Sequence, residues 1–284
     1  MKPFFTAMVQ ILGYFVLFTL IALPFLALWY PYVERHLPDL ADTPATQWPV
    51  EAVSILAALL AAWLMSFAFK SVQDYNFGLR RRTFAQHTLA GLFIGLGMIA
   101  FTLTSLSLMG ALSGNPQYRF VWNGMLAALI TTVSLNAIAQ EIIFRGYFIN
   151  VLKRKFSTKT TIIVSSLIFT AFHAGVFTQA LPTSIISGLS LFFGGILMAL
   201  AYLRTNSLWL PIGLHIGWNL AQALLNLAVT GQKFSDGEAP IVLTGPIIIT
   251  GGTAGLEGSI IGLCSVIAGT VIVLFLYRQT KPAN

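Results

Sequence analysis

Glu141 and Arg145 stand in the middle of an apolar stretch, Gln140-Glu141-Ile142-Ile143-Phe144-Arg145-Gly146. Hydrocarbon is a poor medium for a carboxylate or a guanidinium, so such residues are rare in spanning helices and usually mark a site. Two more polar islands follow, Phe169-Thr170-Ala171-Phe172-His173 and Leu214-His215-Ile216-Gly217-Trp218-Asn219. A carboxylate, two imidazoles, an amide and a guanidinium suit hydrolysis. Glu141 or His173 can take a proton from water. His215 and Asn219 can donate hydrogen bonds to an oxyanion, often the largest catalytic contribution. Arg145 can hold Glu141 ionised and oriented. A second chemistry uses the same atoms: Glu141, His173 and His215 form a three-ligand catalytic zinc set with water in the fourth position. The helical His-Glu-x-x-His zinc motif is absent from the chain. No serine nucleophile is partnered with these groups, and Cys264 is remote in sequence.

Each group also has a structural reading. Glu141 and Arg145 can neutralise each other as an internal ion pair. His173 can bond a backbone carbonyl, and His215 with Asn219 can join helices. Three such islands on three apolar segments favour a reaction centre. Phe169, Phe172 and Trp218 read as packing, and Trp209 as an interface anchor.

The elements that must position these groups are membrane helices. Hydrophobic residues make up 56% of the 284-residue chain and charged residues 9%, against about 25% charged in a soluble domain. The lone cysteine excludes a disulfide framework within the chain. Eight apolar segments of spanning length are expected, at roughly 8–30, 52–69, 88–112, 121–151, 160–178, 184–203, 207–228 and 258–277. The expected fold is therefore all-α, a polytopic integral membrane protein of about eight transmembrane helices. Residues 1–284 are read as a single transmembrane domain, with a motif-bearing core at 120–225. Spanning strands are not expected, because these runs do not alternate and an open sheet edge does not survive in lipid. The first segment is too long for a signal-peptide core and lacks a cleavage site, so it reads as a retained helix. Segments 31–51 and 229–257 read as long loops.

The net charge of +7 is topology rather than a nucleic-acid surface. With the N-terminus inside and eight crossings, twelve basic residues are cytoplasmic: Lys2, Lys70, Arg80, Arg81, Arg82, Lys153, Arg154, Lys155, Lys159, Arg204, Arg278 and Lys281. Only Arg35, Arg119 and Lys233 fall outside. That asymmetry satisfies the positive-inside rule. It predicts a multi-pass protein of the cell membrane with both termini cytoplasmic, whose partners are the bilayer and a membrane protein or peptide.

Helices 4 and 5 are expected to form a hairpin turning near Phe156-Ser157-Thr158. Glu141 lies fifteen residues before Phe156 and His173 seventeen after it. At 1.5 Å per residue both stand about 20–25 Å from the turn, if neither helix breaks. His215 and Asn219 stand about 15–20 Å from the next turn, near Thr205-Asn206. Glu141/Arg145, Phe169/His173 and His215/Asn219 are each i,i+4 pairs on one helix face. Gly188, Gly194 and Gly195 let helix 6 approach its neighbours closely.

Taken together, Gln140-Glu141-x-x-x-Arg145, Phe169-x-x-x-His173 and His215-x-x-x-Asn219 resemble the CPBP (Abi) family of intramembrane proteases, which includes the CAAX prenyl endopeptidases. Phe144-Arg145-Gly146-Tyr147, Arg204-Thr205-Asn206-Ser207-Leu208-Trp209, Pro211 to His215 and the Thr250–Gly258 segment resemble bacterial members. The resemblance implies cleavage of a peptide bond near the membrane. It implies water activation by the first glutamate of the pair with the first histidine, and oxyanion stabilisation by the later histidine and asparagine. Metal-dependent and metal-free mechanisms are both argued for that family, so zinc stays open. Gln140 stands where the family's first glutamate is expected. An amide is no general base, although it can position water. Either Glu141 or His173 then carries the base role, or the chain is an impaired member acting as a membrane binding or immunity protein. A small transporter is a third reading, but no matching repeat halves are visible.

Overall fold

A computed structural model describes residues 2–69, 78–79, 82–119, 123–234 and 238–278. Lys70, Arg80, Arg81, Asp236, Gly237 and Lys281 lie outside the described residues. In chain order the helices are α1 (Lys2–His36), α2 (Pro44–Ala68), α3 (Phe84–Leu108), α4 (Gly124–Glu141), α5 (Ile149–Leu152), α6 (Thr158–Phe172), α7 (Thr183–Thr205), α8 (Trp209–Leu224), α9 (Ile247–Thr250) and α10 (Ile260–Leu276). A π-helical segment, Ile142–Phe148, joins α4 to α5. The chain is an all-α polytopic membrane protein. Large apolar side chains such as Phe5, Leu28, Phe93 and Phe275 are more than half exposed, a liability in water and the required surface in hydrocarbon.

Among the described residues, six helical stretches are long and apolar enough to cross a bilayer: Phe4–His36, Pro44–Ala68, Phe84–Leu108, Gly124–Leu152, Thr183–Thr205 and Gly252–Leu276. The other two expected spans are shorter. The 160–178 segment breaks at Phe172, where the chain tightens into a 3-10 turn, Ala174–Thr178. The 207–228 segment yields the 16 residues of α8, bounded by left-handed Asn206 and Asn226. Most of the expected 31–51 loop is helix. α1 runs through Pro31 to His36, and α2 starts at Pro44, whose fixed φ suits the first helical turn.

Contacts divide the chain into two compact units. The first comprises Met1–Phe77 and Val121–Thr161. In it α2 packs on both α1 and α4. Buried Ala57, Ala58, Ala61 and Ala62 line α2, and small residues permit close helix approach in lipid. Trp29 Nε1 donates to Thr46 O at 2.9 Å and Tyr14 OH to Ala58 O at 3.2 Å. Tyr14 stacks on Tyr147 at 4.1 Å, so α1 grips the π segment. Every residue of that segment is buried. Its wider winding spoils the regular ladder, and Asn150 Nδ2 donates to Gly146 O at 2.5 Å.

The second unit comprises Gly78–Phe120 and Ile162–Asn284. Its core includes Met98, Leu106, Leu197, Leu214, Trp218 and Leu256. α3 and α8 meet through glycines on both helices. A Cβ on Gly91 would lie 2.2 Å from Leu210 O, and one on Gly95 2.6 Å from Leu214 O. A Cβ on Gly213 would lie 2.1 Å from Thr88 O, and one on Gly217 2.5 Å from Leu92 O. No real side chain fits there, so the backbones touch. On α7 the expected small-residue contacts hold at Gly195, whose Cβ would meet Ser166 Cα at 2.9 Å; Gly188 faces the Phe177 ring, and Gly194 has open space. The long 229–257 segment is also ordered. Antiparallel strands β1 (Leu112–Gly114) and β2 (Ile241–Leu243) pair Ser113 with Val242. α9 and a 3-10 stretch, Gly252–Gly258, then lead into α10.

Candidate active site

In the first unit Glu141 is fully buried at the last residue of α4, and Arg145 lies one turn on in the π segment with 2% exposure. Arg145 Nη1 donates to Glu141 Oε1 at 2.9 Å. The i,i+4 pair is thus a charge-assisted bond away from water. Gln140 Nε2 donates to Asn136 Oδ1 at 2.9 Å, and Asn136 Nδ2 donates to Glu51 Oε1 of α2 at 3.0 Å. Thr132, a turn earlier, donates to Pro44 O at 2.9 Å. Thr132, Asn136 and Gln140 therefore form an i,i+4 polar stripe along α4. Sequence reasoning missed Glu51 and Asn136. The spacing of the stripe was legible, but its partner on α2 was not.

In the second unit His173 is the residue immediately after α6, not a residue within it. The run from the turn to His173 is one continuous helix, whereas the run from Glu141 to the turn passes through the π segment, so the regular rise assumed for the depth argument fails in that arm. His173 Nδ1 lies 2.8 Å from Phe169 O. A carbonyl only accepts, so Nδ1 carries the proton of this bond. The Phe169 ring lies 4.5 Å from the His173 ring and 6.4 Å from the His215 ring. Buried Phe169 is thus the packing surface of both imidazoles, whereas Phe172 is half exposed. His215 and Asn219 are buried on α8. Gly213 and Gly217 flank His215 by two residues on either side, about 200° around the helix. Pressing the glycine face onto α3 turns His215 and Asn219 away from α3. Trp209 anchors the start of α8, donating Nε1 to Leu79 O at 2.6 Å.

Behind this face lies a carboxylate that motif reading passed over. Glu257 is buried, with 5% exposure. Its Oε1 accepts from Trp218 Nε1 at 2.7 Å and Gln222 Nε2 at 2.9 Å; its Oε2 accepts from Thr230 N at 3.4 Å. Gln222 Oε1 in turn accepts from Leu256 N at 3.3 Å. Its signal was a charge among apolar residues. Trp218, read as packing, is also a donor.

The candidate zinc set draws Glu141 from the first unit and both histidines from the second. Among the described residues, neither unit by itself gathers three His, Cys, Asp or Glu side chains that could hold a metal ion.

No curated protein matches the chain. A family model does match, that of the Rce1-like proteins, type II CAAX prenyl endopeptidases, over residues 122–221. Those 100 of 284 residues contain Gln140, Glu141, Arg145, Phe169, His173, His215 and Asn219. The stretch that carries every candidate site residue is therefore the stretch in which this membrane protein is similar to the Rce1-like, type II CAAX prenyl endopeptidases.

Proposed function

We propose that the protein is an intramembrane endopeptidase that hydrolyses a peptide bond of a membrane-associated protein or peptide, working in the cell membrane with both termini cytoplasmic. The family match over the motif-bearing residues carries the reading. Glu141 receives the proton of the attacking water, with His173 Nε2 as its partner in proton transfer. Arg145 orients the Glu141 carboxylate, a role supported by their 2.9 Å bond. His215 and Asn219 donate to the tetrahedral oxyanion. The leaving amine takes back the proton.

The test is cleavage of a membrane-peptide library by the purified protein, with and without a chelator. Glu141→Gln and His173→Ala are each expected to lower kcat by about 10²–10⁴-fold. Unchanged rates in both variants overturn the assignment. A phenotype that persists in both, with no cleavage by the parent, establishes the impaired-member reading that Gln140 favours. Loss with chelator, reversed by zinc, assigns Glu141 and the histidines to a metal.

A further inference from the structure

Glu51, Asn136 and Gln140 form a hydrogen-bonded line whose direction is fixed at one end. In the observed bond Glu51 accepts: its Oε1 receives Asn136 Nδ2–H at 3.0 Å. The Glu51 oxygen is the acceptor of this bond. The Asn136 amide must therefore turn its nitrogen toward α2 and its oxygen toward Gln140. Gln140 answers by turning its own nitrogen to Asn136 Oδ1, at 2.9 Å. Its oxygen is left at the far end. Gln140 Oε1 is buried and has no hydrogen-bond partner among the described residues. A buried acceptor without a donor is costly. The next residue is Glu141.

We propose that Glu51 is a positioning residue. Acting through Asn136, it holds the Gln140 amide so that Oε1 accepts a hydrogen bond from the hydrolytic water. This rests on the endopeptidase reading. The water keeps one O–H on Gln140 Oε1. It gives the other proton to the base as its oxygen bonds to the peptide carbonyl carbon; the C–N bond then breaks and the amine takes that proton. Gln140 itself makes and breaks no covalent bond.

A swap of the two ends tests this. Glu51→Gln removes the fixed direction, because an amide at position 51 can donate as well as accept. Gln140 then spends part of its time flipped, and kcat is expected to fall roughly 2- to 12-fold at unchanged KM. Gln140→Glu places carboxyls at both ends of one amide, which has a nitrogen at only one end. The double variant Glu51→Gln/Gln140→Glu reverses the line and satisfies it again. Its melting midpoint in detergent is expected to return to near the parent's, while each single variant melts lower by roughly 2–4 °C. Its kcat is expected to recover past that of Glu51→Gln. The melting cycle needs no protease activity. Additive melting shifts would mean that no directed line exists, and would overturn the proposal. Coupled melting with the Glu51→Gln rate unchanged would make the line purely structural, and would overturn the positioning role. Coupled melting with no hydrolysis by the parent on any peptide would sink the endopeptidase reading instead, and the water-holding role with it.

Discussion

Replacing Gly213 by alanine tests whether the α3–α8 contact positions the reacting groups. The added Cβ would lie 2.1 Å from Thr88 O and 2.9 Å from Leu92 N. Both are backbone atoms of a helix, so no rotamer change relieves the clash. An ordinary contact requires the two backbones to separate by roughly 1 Å. Overpacking of this kind costs about 1–3 kcal/mol, offset by up to about 1 kcal/mol because alanine favours the helix over glycine. The net loss of about 1–2 kcal/mol is modest. The functional loss is expected to be larger, because His215 and Asn219 ride on the displaced helix, and an error near 1 Å at reacting groups lowers the rate by roughly 10²-fold. Thermal unfolding in detergent and kcat on a cleaved peptide measure the two effects. Gly97→Ala and Gly194→Ala are the controls, since a Cβ at either meets nothing within 4 Å; each is expected to gain about 0.5–1 kcal/mol and keep its rate. If Gly213→Ala behaves like the controls, the glycine contact positions nothing.

Glu257→Ala leaves Trp218 Nε1 and Gln222 Nε2 buried without their acceptor, and the melting midpoint is expected to fall by the equivalent of about 2–4 kcal/mol. Trp218→Phe in that background should cost less than it does in the parent, which a double-mutant cycle reads directly. Arg145→Met strands a fully buried carboxylate; a loss of about 3–5 kcal/mol is expected, visible as poor yield of folded protein, with Glu141→Gln on top restoring part of it. Reporter fusions after Pro44 and after Lys281 are expected on opposite sides of the membrane, with the second cytoplasmic; finding both on one side refutes the orientation drawn from the basic residues.

The helices were legible because a bilayer makes hydropathy nearly decisive. The errors fall where helix ends depend on local chemistry. Between residues 31 and 51, prolines and charges suggested a loop. Yet α1 continues through Pro31, and Thr43-Pro44 is a helix start signal that was available to be read. His173 was placed inside a helix because Phe169-x-x-x-His173 has helical spacing. The chain instead tightens at that residue, which brings Nδ1 to Phe169 O. The π segment at Ile142–Phe148 has no signature in its residue types. It arises where a buried ion pair and a stacked tyrosine must both be accommodated within one turn.

The candidate site was half legible, and the division has a physical reason. A charge within apolar sequence announces itself, because hydrocarbon tolerates it only for a purpose. That rule flags Glu141 and Glu257 alike and does not say what either does. The partners separate them. Glu141 is paired with a guanidinium one turn on, inside the stretch that matches the Rce1-like model. Glu257 is held by neutral N–H groups from α8 and the loop that follows it, and it lies outside the Rce1-like stretch, so its work is to fasten α8. Glu51 is a third case. It sits at the edge of an apolar run, where a carboxylate looks like a solvated helix end. Only the register of α2 against α4 shows it one hydrogen bond from Asn136 and two from Gln140. A helix-to-helix register is the product of all the packing between two helices, so no local pattern announces it. For that reason the motif residues could be named from the chain, while the residue that orients one of them could not.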